Sequence, residues 1–409
     1  MAARAESRSL LVLLASALAF AALLAVAHPL RAAEEYNFAG SAQLDYHLIP
    51  NGPRAEGAPG QGTTFQGFTM EMGLKVAVDI SEHLSANVKA CYGCHGVELD
   101  MAYFDYRAVD ELNLRVGRFS PSFGAFNLRH DPANHMLSDK PLPYDMGRML
   151  RKGDWNNGVL PSPFPSNGVE LNGTHWFGTS AQFDYALYAV TGFKNDTDAN
   201  PTDLNFQESH LPYYVSNSLR PAGGARLALT LKGSSAVDVT LGASTLIGTY
   251  DPKNDFSYVI GGADLAIRVQ RTAFRAEYLM RRQQFDTRNP DIFKYSVAQN
   301  DGDFFTKQGA FAEVEQPFGS AWDMTLRTDG MLRRGNVSDV PTGSGRSVAT
   351  AVSPLTFQSW VLRETLGLAY ALERNFRLKA SGEVWQFSYP DSLGDKTALG
   401  FHFGAVGSF

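Results

Sequence analysis

From Tyr36 onward every second residue is apolar or small: Tyr36, Phe38, Gly40, Ala42, Leu44, Tyr46 and Leu48 alternate with Asn37, Ser41, Gln43, Asp45 and His47. A repeat of two marks a β-strand with one greasy and one polar face. The pattern returns as Phe68, Met70, Met72, Leu74, Val76, Val78 and Ile80 against Thr69, Glu71, Lys75 and Asp79, and again over 237–247, 259–269 and 272–280. Strands of soluble sandwiches usually run about five or six residues. These run about ten to fourteen, the length that crosses a bilayer at a tilt. The pattern therefore predicts an all-β, transmembrane antiparallel β-barrel.

Connections sort by length. Tight turns at 81–83, 109–111, 233–235 and 373–375 take turns with long polar loops such as 51–62, 194–221 and 336–353. Short periplasmic turns and long external loops are the pattern of an outer-membrane barrel. The last segment sets Leu399, Phe401, Phe403, Ala405 and Phe409 on one face and His402 and Ser408 on the other. Its terminal Phe resembles the ending by which bacterial outer-membrane proteins are recognised for insertion. The alternation gives about sixteen strands with both ends periplasmic, closed so that no backbone edge meets lipid. Such a barrel is wide enough for a water-filled lumen.

Arg4 and Arg8 precede an apolar run from Leu10 to Ala27, followed by small residues at Ala32 and Ala33. This predicts a secretory signal peptide over 1–33, cleaved after Ala27 or Ala33, with the barrel domain occupying 34–409 in the outer membrane. An uncleaved membrane anchor is the alternative. The composition then excludes other classes. With 36 basic and 42 acidic residues and a net charge of −6, no basic stripe points to nucleic acid. Beyond the N-terminal run, no stretch suits a membrane helix. The 27 Phe, 16 Tyr and 5 Trp are too many for a disordered chain. No Gly-x-Ser-x-Gly elbow, phosphate loop or His-Glu-x-x-His pair points to an enzyme. Acidic clusters at Asp196, Asp198 and Asp203, and at Asp251 and Asp255, lack calcium-loop spacing and fit solvated loops.

The stretches 98–106 (ELDMAYFDY) and 114–124 (LRVGRFSPSFG), followed by 168–173 (GVELNG) and 183–188 (FDYALY), resemble the phosphate-selective porin O and P family. The likeness is clearest in the first half of the mature chain. It implies a sixteen-stranded homotrimeric porin passing small hydrophilic solutes, with a long third external loop, here 120–166, folded inward to narrow the pore. Between Arg115 and Lys152 the basic residues Arg115, Arg118, Arg129, Lys140, Arg148, Arg151 and Lys152 face the acidic Asp131, Asp139 and Asp145. A locally cationic constriction concentrates anions and predicts a mild anion preference. Solvated loop charges, or a mixed-charge wall, are the alternative. The family's phosphate-binding lysines have no residue-by-residue counterpart in this loop, so phosphate selectivity does not carry over.

Both cysteines of the chain fall in Cys91-Tyr92-Gly93-Cys94-His95. C-x-x-C-H is the attachment motif for haem c: two thioethers hold the porphyrin and the adjoining imidazole lies under the iron. One covalent haem on Cys91, Cys94 and His95 is therefore expected. A Cys91–Cys94 disulfide in an oxidising compartment, or a zinc half-site lacking its second pair, are the alternatives. Alternation from Leu84 places Cys91 on the lumenal face at the upper end of the third strand, which would put haem at the pore mouth. The inward loop offers His130, His135, Met136, Met146 and Met149 as a sixth iron ligand. His135 and His130 lead because paired imidazoles suit electron transfer, with plain loop packing as the alternative. Three functions remain in view: a porin with a haem that relays electrons to other outer-membrane cytochromes, a plain porin with structural cysteines, and a sheath around a multihaem cytochrome.

Overall fold

The computed structural model describes residues 35–49, 65–93, 96–145, 158–195, 204–205, 220–234, 236–284, 295–297, 304–335, 337–339, 358–388 and 396–409. The expected signal segment 1–33 lies outside them. Sixteen strands form one closed antiparallel barrel in simple chain order. They are β1 (Tyr36–Ile49), β2 (Phe65–Asp79), β3 (Leu84–Gly93), β4 (Gly96–Val109), β5 (Leu112–Phe119), β6 (Ser166–Phe177), β7 (Ala181–Val190) and β8 (Ala222–Ser234). β9 (Val237–Thr249), β10 (Ser257–Val269), β11 (Thr272–Gln284), β12 (Phe304–Phe318), β13 (Trp322–Gly335), β14 (Gln358–Glu373), β15 (Phe376–Ser388) and β16 (Lys396–Ser408) complete it. Two short ribbons, 194–195 with 204–205 and 295–297 with 337–339, lie outside the wall.

The alternation read from the sequence is the inside and outside of this wall. Phe38, Leu44, Phe68, Leu187, Leu366 and Phe403 are exposed on the outer face, while His47, Arg281, Arg363 and His402 are fully buried on the inner one. On β14 the outward aromatics Trp360 and Tyr370 bracket an apolar band about 25 Å tall, the height expected of a lipid-facing belt. One carboxylate faces outward within that band: Glu364, which accepts a hydrogen bond from the Thr328 hydroxyl at 2.8 Å. The tight turns fall where expected, between Asp79 and Leu84, Val109 and Leu112, Ser234 and Val237, and Glu373 and Phe376. The three long loops named above lie largely outside the described residues.

β1 and β16 close the cylinder, paired from Ser41↔Ser408 to Leu48↔Phe401. Gly40 and Phe409 exchange both backbone hydrogen bonds, at 3.1 and 3.0 Å. A Cβ at position 40 would lie 2.6 Å from the Phe409 ring, so a larger residue there would push that ring aside.

After Phe119 the chain turns into the barrel and forms three single 3-10 turns, Asn127–Arg129, Pro132–Asn134 and Leu142–Tyr144. Phe119, Phe123, Phe126, Tyr144, Leu160 and Phe164 are buried in one cluster with the wall residues Tyr188, Tyr258, Ile260, Leu279 and Phe311. The inward fold expected of this loop is thus present, and it carries a hydrophobic core of its own. The loop core occupies part of the space that a barrel sheathing a separate cytochrome would need.

Candidate functional site in the barrel lumen

The loop is held at mid-height by wall carboxylates that accept from its backbone. Glu170 takes the amide and hydroxyl of Ser122 at 2.9 and 3.0 Å, and Glu277 takes the amides of Ala125 and Phe126 at 3.1 Å each. The Tyr144 hydroxyl also donates to Glu277, and Asp329 takes the Leu142 amide at 3.0 Å. On the opposite arc Lys379 donates to the carbonyls of Pro132 and Leu137 at 2.9 and 3.2 Å. Asp139 is gripped by Arg327 at 2.7 Å and by Arg363, which also holds Asp329 and Glu383. Hydrogen bonds to charged groups contribute about 1.5–3 kcal/mol each, so these ties fix the loop far more firmly than its short 3-10 turns could.

Gly124 makes the first bend possible. Its φ of 66° is left-handed, and a Cβ there would strike the Tyr144 hydroxyl and Glu277.

The basic residues expected at the constriction are dispersed and matched. Arg115 lies on β5 between Asp105 at 2.9 Å and Glu170 at 3.3 Å. Arg118 is buried and donates to the Leu99 carbonyl at 2.9 Å. Arg129 faces Glu313 at 3.4 Å, and Lys140 donates to the Ser162 carbonyl at 2.9 Å with Glu71 at 3.7 Å. Arg148, Arg151 and Lys152 lie outside the described residues. The four described cations therefore form no ring of unmatched positive charge.

Cys91 does lie on the lumenal side, as a free thiol whose Sγ stands 3.6 Å from Asp100. Cys94 and His95, with Met146 and Met149, lie outside the described residues. A register shift after Lys89 inserts an extra residue in β4, and this bulge turns Asp100 inward beside Lys89, 3.0 Å away. Lys89 also pairs with Asp131 of the loop at 2.5 Å and meets His130 Nε2 at 3.2 Å. The surroundings of Sγ are thus a charged, interlocked set. The group that the C-x-x-C-H motif implies would be joined to Cys91 beside this buried Lys89–Asp100 pair.

Of the two candidate sixth ligands, His130 has both ring nitrogens engaged, whereas His135 Nε2 has no hydrogen-bond partner. His130 Nδ1 meets the Asn127 carbonyl at 2.7 Å while its Nε2 abuts the Lys89 ammonium. His135 lines a cavity against the β1–β2 wall, with Nδ1 on the Leu137 carbonyl at 2.9 Å. Burial, then the nearby Lys89, holds His130 below the usual imidazole range, and burial followed by Lys379 holds His135 well below it. Both are neutral at physiological pH.

Between the loop and the β1–β2 wall lies a cavity of about 30 Å³. His135, Ser138, Asp139, Lys140 and Asp145 line it from the loop, and Asp45 and Glu71 from the wall. Among the described residues no group of three His, Cys, Asp or Glu could hold a metal ion.

Glu170, Glu277, Asp329, Arg327, Arg363 and Lys379 were not singled out by sequence reasoning. Their inward position was legible from alternation, but their loop partners lie far along the chain, 151 residues away for Glu277 and Phe126, and no local pattern announces them.

In comparisons with known proteins, a family model described as phosphate-selective porin O and P matches residues 37–149. It contains the motifs at 98–106 and 114–124, and stops before those at 168–188. No curated protein matches the chain in sequence. Among solved structures, the outer membrane channel DcaP of Acinetobacter baumannii is 11% identical, with a TM-score of 0.55, covering 93% of this chain and 98% of that one. An anion-selective porin from Comamonas acidovorans is 10% identical, with a TM-score of 0.53, covering 92% of this chain and 100% of that one. Salmonella typhi OmpF in complex with daunomycin is 11% identical, with a TM-score of 0.53, covering 92% and 98%. The fold is that of the outer-membrane porins, and a closed barrel with this apolar belt places the chain in the outer membrane.

Proposed function

We propose that the chain is a passive outer-membrane channel for small hydrophilic solutes. The observation that carries this reading is an inner wall that stays polar on both sides of the loop's apolar core. Thr174, Asp184, Thr230 and Thr240 hydrogen-bond one another in pairs towards the periplasmic end, and charged clusters line the loop height. Sixteen strands enclose enough space for an aqueous path beside an inward loop. Purified protein in planar bilayers should give ohmic conductance steps; a folded barrel that passes no current would overturn the reading.

The matched charges at the constriction support weak ion selectivity rather than a strong anion filter, since a paired cation adds little long-range potential. Reversal potentials in a potassium chloride gradient measure this. One covalent haem on Cys91, Cys94 and His95 at the pore mouth is tested by haem staining of denatured protein from a host that matures c-type cytochromes; a negative stain would leave a plain porin. Assembly as a homotrimer, implied by the resemblance, is tested by the mass of the detergent-solubilised particle.

A further inference from the structure

The charge cluster that grips Asp139 holds one cation too few. Asp139 of the loop lies 2.7 Å from Arg327 of β13 and also against Arg363 of β14. Arg327 meets Asp329 at 3.2 Å, and Arg363 meets Asp329 at 2.5 Å and Glu383 of β15 at 3.3 Å. All five side chains are 1% exposed or less. Three carboxylates thus share two guanidiniums out of reach of water, and a buried charge left without a partner is strongly destabilising. The neighbouring ions hold nothing in reserve, because Glu313 and Glu315 of β12 are already matched by Arg129 and Arg275.

One more side chain touches the cluster. The fully buried His402 of β16 sets its Nε2 2.9 Å from Glu383 Oε2. Its Nδ1 lies 2.7 Å from Nδ1 of His47 across the seam between β1 and β16, and His47 Nε2 lies 2.6 Å from the Thr69 hydroxyl oxygen. Beside a carboxylate, His402 Nε2 carries a proton, and between the two Nδ1 atoms there is room for one more. If that proton belongs to His47, both rings are neutral. If it belongs to His402, that ring is an imidazolium donating to His47, and His47 donates from Nε2 to the Thr69 oxygen. Hydrogen bonding permits either state, so charge decides between them. Asp45 of β1 is within electrostatic reach of Lys379 as well as of His402, and Glu71 of β2 has Lys140 at 3.7 Å. Each of these acids faces a lysine, and the shortfall at Glu383 remains.

We propose that His402 is the third cation of this cluster, a positioning residue that carries an extra proton while the loop is docked and, through Glu383 and Arg363, keeps Asp139 against the wall. Without that proton three carboxylates face two guanidiniums, so loss of the proton and release of Asp139 favour each other. Alkaline medium therefore loosens the loop. The effect on conduction rests on the channel reading, whereas the protonation of His402 does not.

Nitrogen-15 NMR of the chain labelled at histidine, in detergent micelles, reads the ring directly, with His402→Gln identifying its signals. Both His402 nitrogens should be protonated at pH 7 in the native sequence, and the ring should be neutral in Glu383→Gln. A neutral His402 in the native chain, or an imidazolium that persists in Glu383→Gln, would overturn the proposal whether or not the barrel conducts. In bilayers the native conductance should rise between pH 7 and pH 9. His402→Gln should show the raised value already at pH 7, and adding Glu383→Gln to it should bring the value back and remove the pH dependence, a rescue that a merely space-filling histidine would not allow. A native conductance independent of pH over this range, or a double variant no closer to the native value than His402→Gln, with heat-modifiable gel mobility showing that the variants fold, would also overturn it.

Discussion

His130 and His135 are buried neutral within the loop, and that makes docking of the loop sensitive to acid. Above about pH 6.5 both docked and released loops are unprotonated, and the imidazoles contribute nothing to the difference. Below it the released loop binds protons that the docked loop refuses, so docking weakens by about 1.4 kcal/mol per pH unit for each imidazole until its depressed value is reached. Limited proteolysis with an acid-tolerant protease should accelerate between pH 7.5 and 5.5, and His135→Asn should flatten that dependence. Asp139 is the second residue with a large expected effect. Converting it to Asn leaves Arg327 and Arg363 short of a buried counter-charge and should destabilise the docked loop by about 3 kcal/mol. Increased open-channel noise in single-channel recordings would register this.

At the level of elements, the strands were legible because lipid and lumen impose opposite polarities on neighbouring side chains, and a period of two survives in almost any window. β1, β9 and β11 begin where the alternation says they do, β10 begins two residues earlier at Ser257, and the tight turns sit at Ser81–His83 and at the Glu373–Asn375 step. The loop was legible only as a loop. Its basic residues gave a positive count, but the count could not show that Arg115 belongs to Asp105 and Glu170, or that Lys140 lies by Glu71. Partner choice depends on which wall residues a loop reaches, and that is settled by three-dimensional closure. The C-x-x-C-H spacing likewise carried no information about the bulge that brings Asp100 against Cys91. Two element-scale outcomes follow. Gly124→Ala should undock the start of the loop and enlarge single-channel conductance, since its Cβ meets Tyr144 and Glu277. Glu364→Leu removes a carboxylate from the outer belt of β14 and should raise the barrel's stability to urea in vesicles by about 1–2 kcal/mol.

For the whole molecule, closure is the defining event, and it depends on the two ends of the barrel sequence. Every interior strand pairs with the strands before and after it along the chain, but β1 waits for β16, and Gly40 waits for Phe409. Deleting Phe409 removes two backbone hydrogen bonds and the ring that covers Gly40, so a smaller fraction should reach the compact, heat-modifiable form on gels. The same arrangement puts His47 beside His402, 355 positions apart, with nitrogen atoms 2.7 Å from each other across the seam. A polypeptide whose synthesis stops short is therefore a sheet with two raw rims, and hydrocarbon tolerates neither. Geometry alone sets this requirement, because only the sixteenth strand lets the first one disappear into a continuous surface.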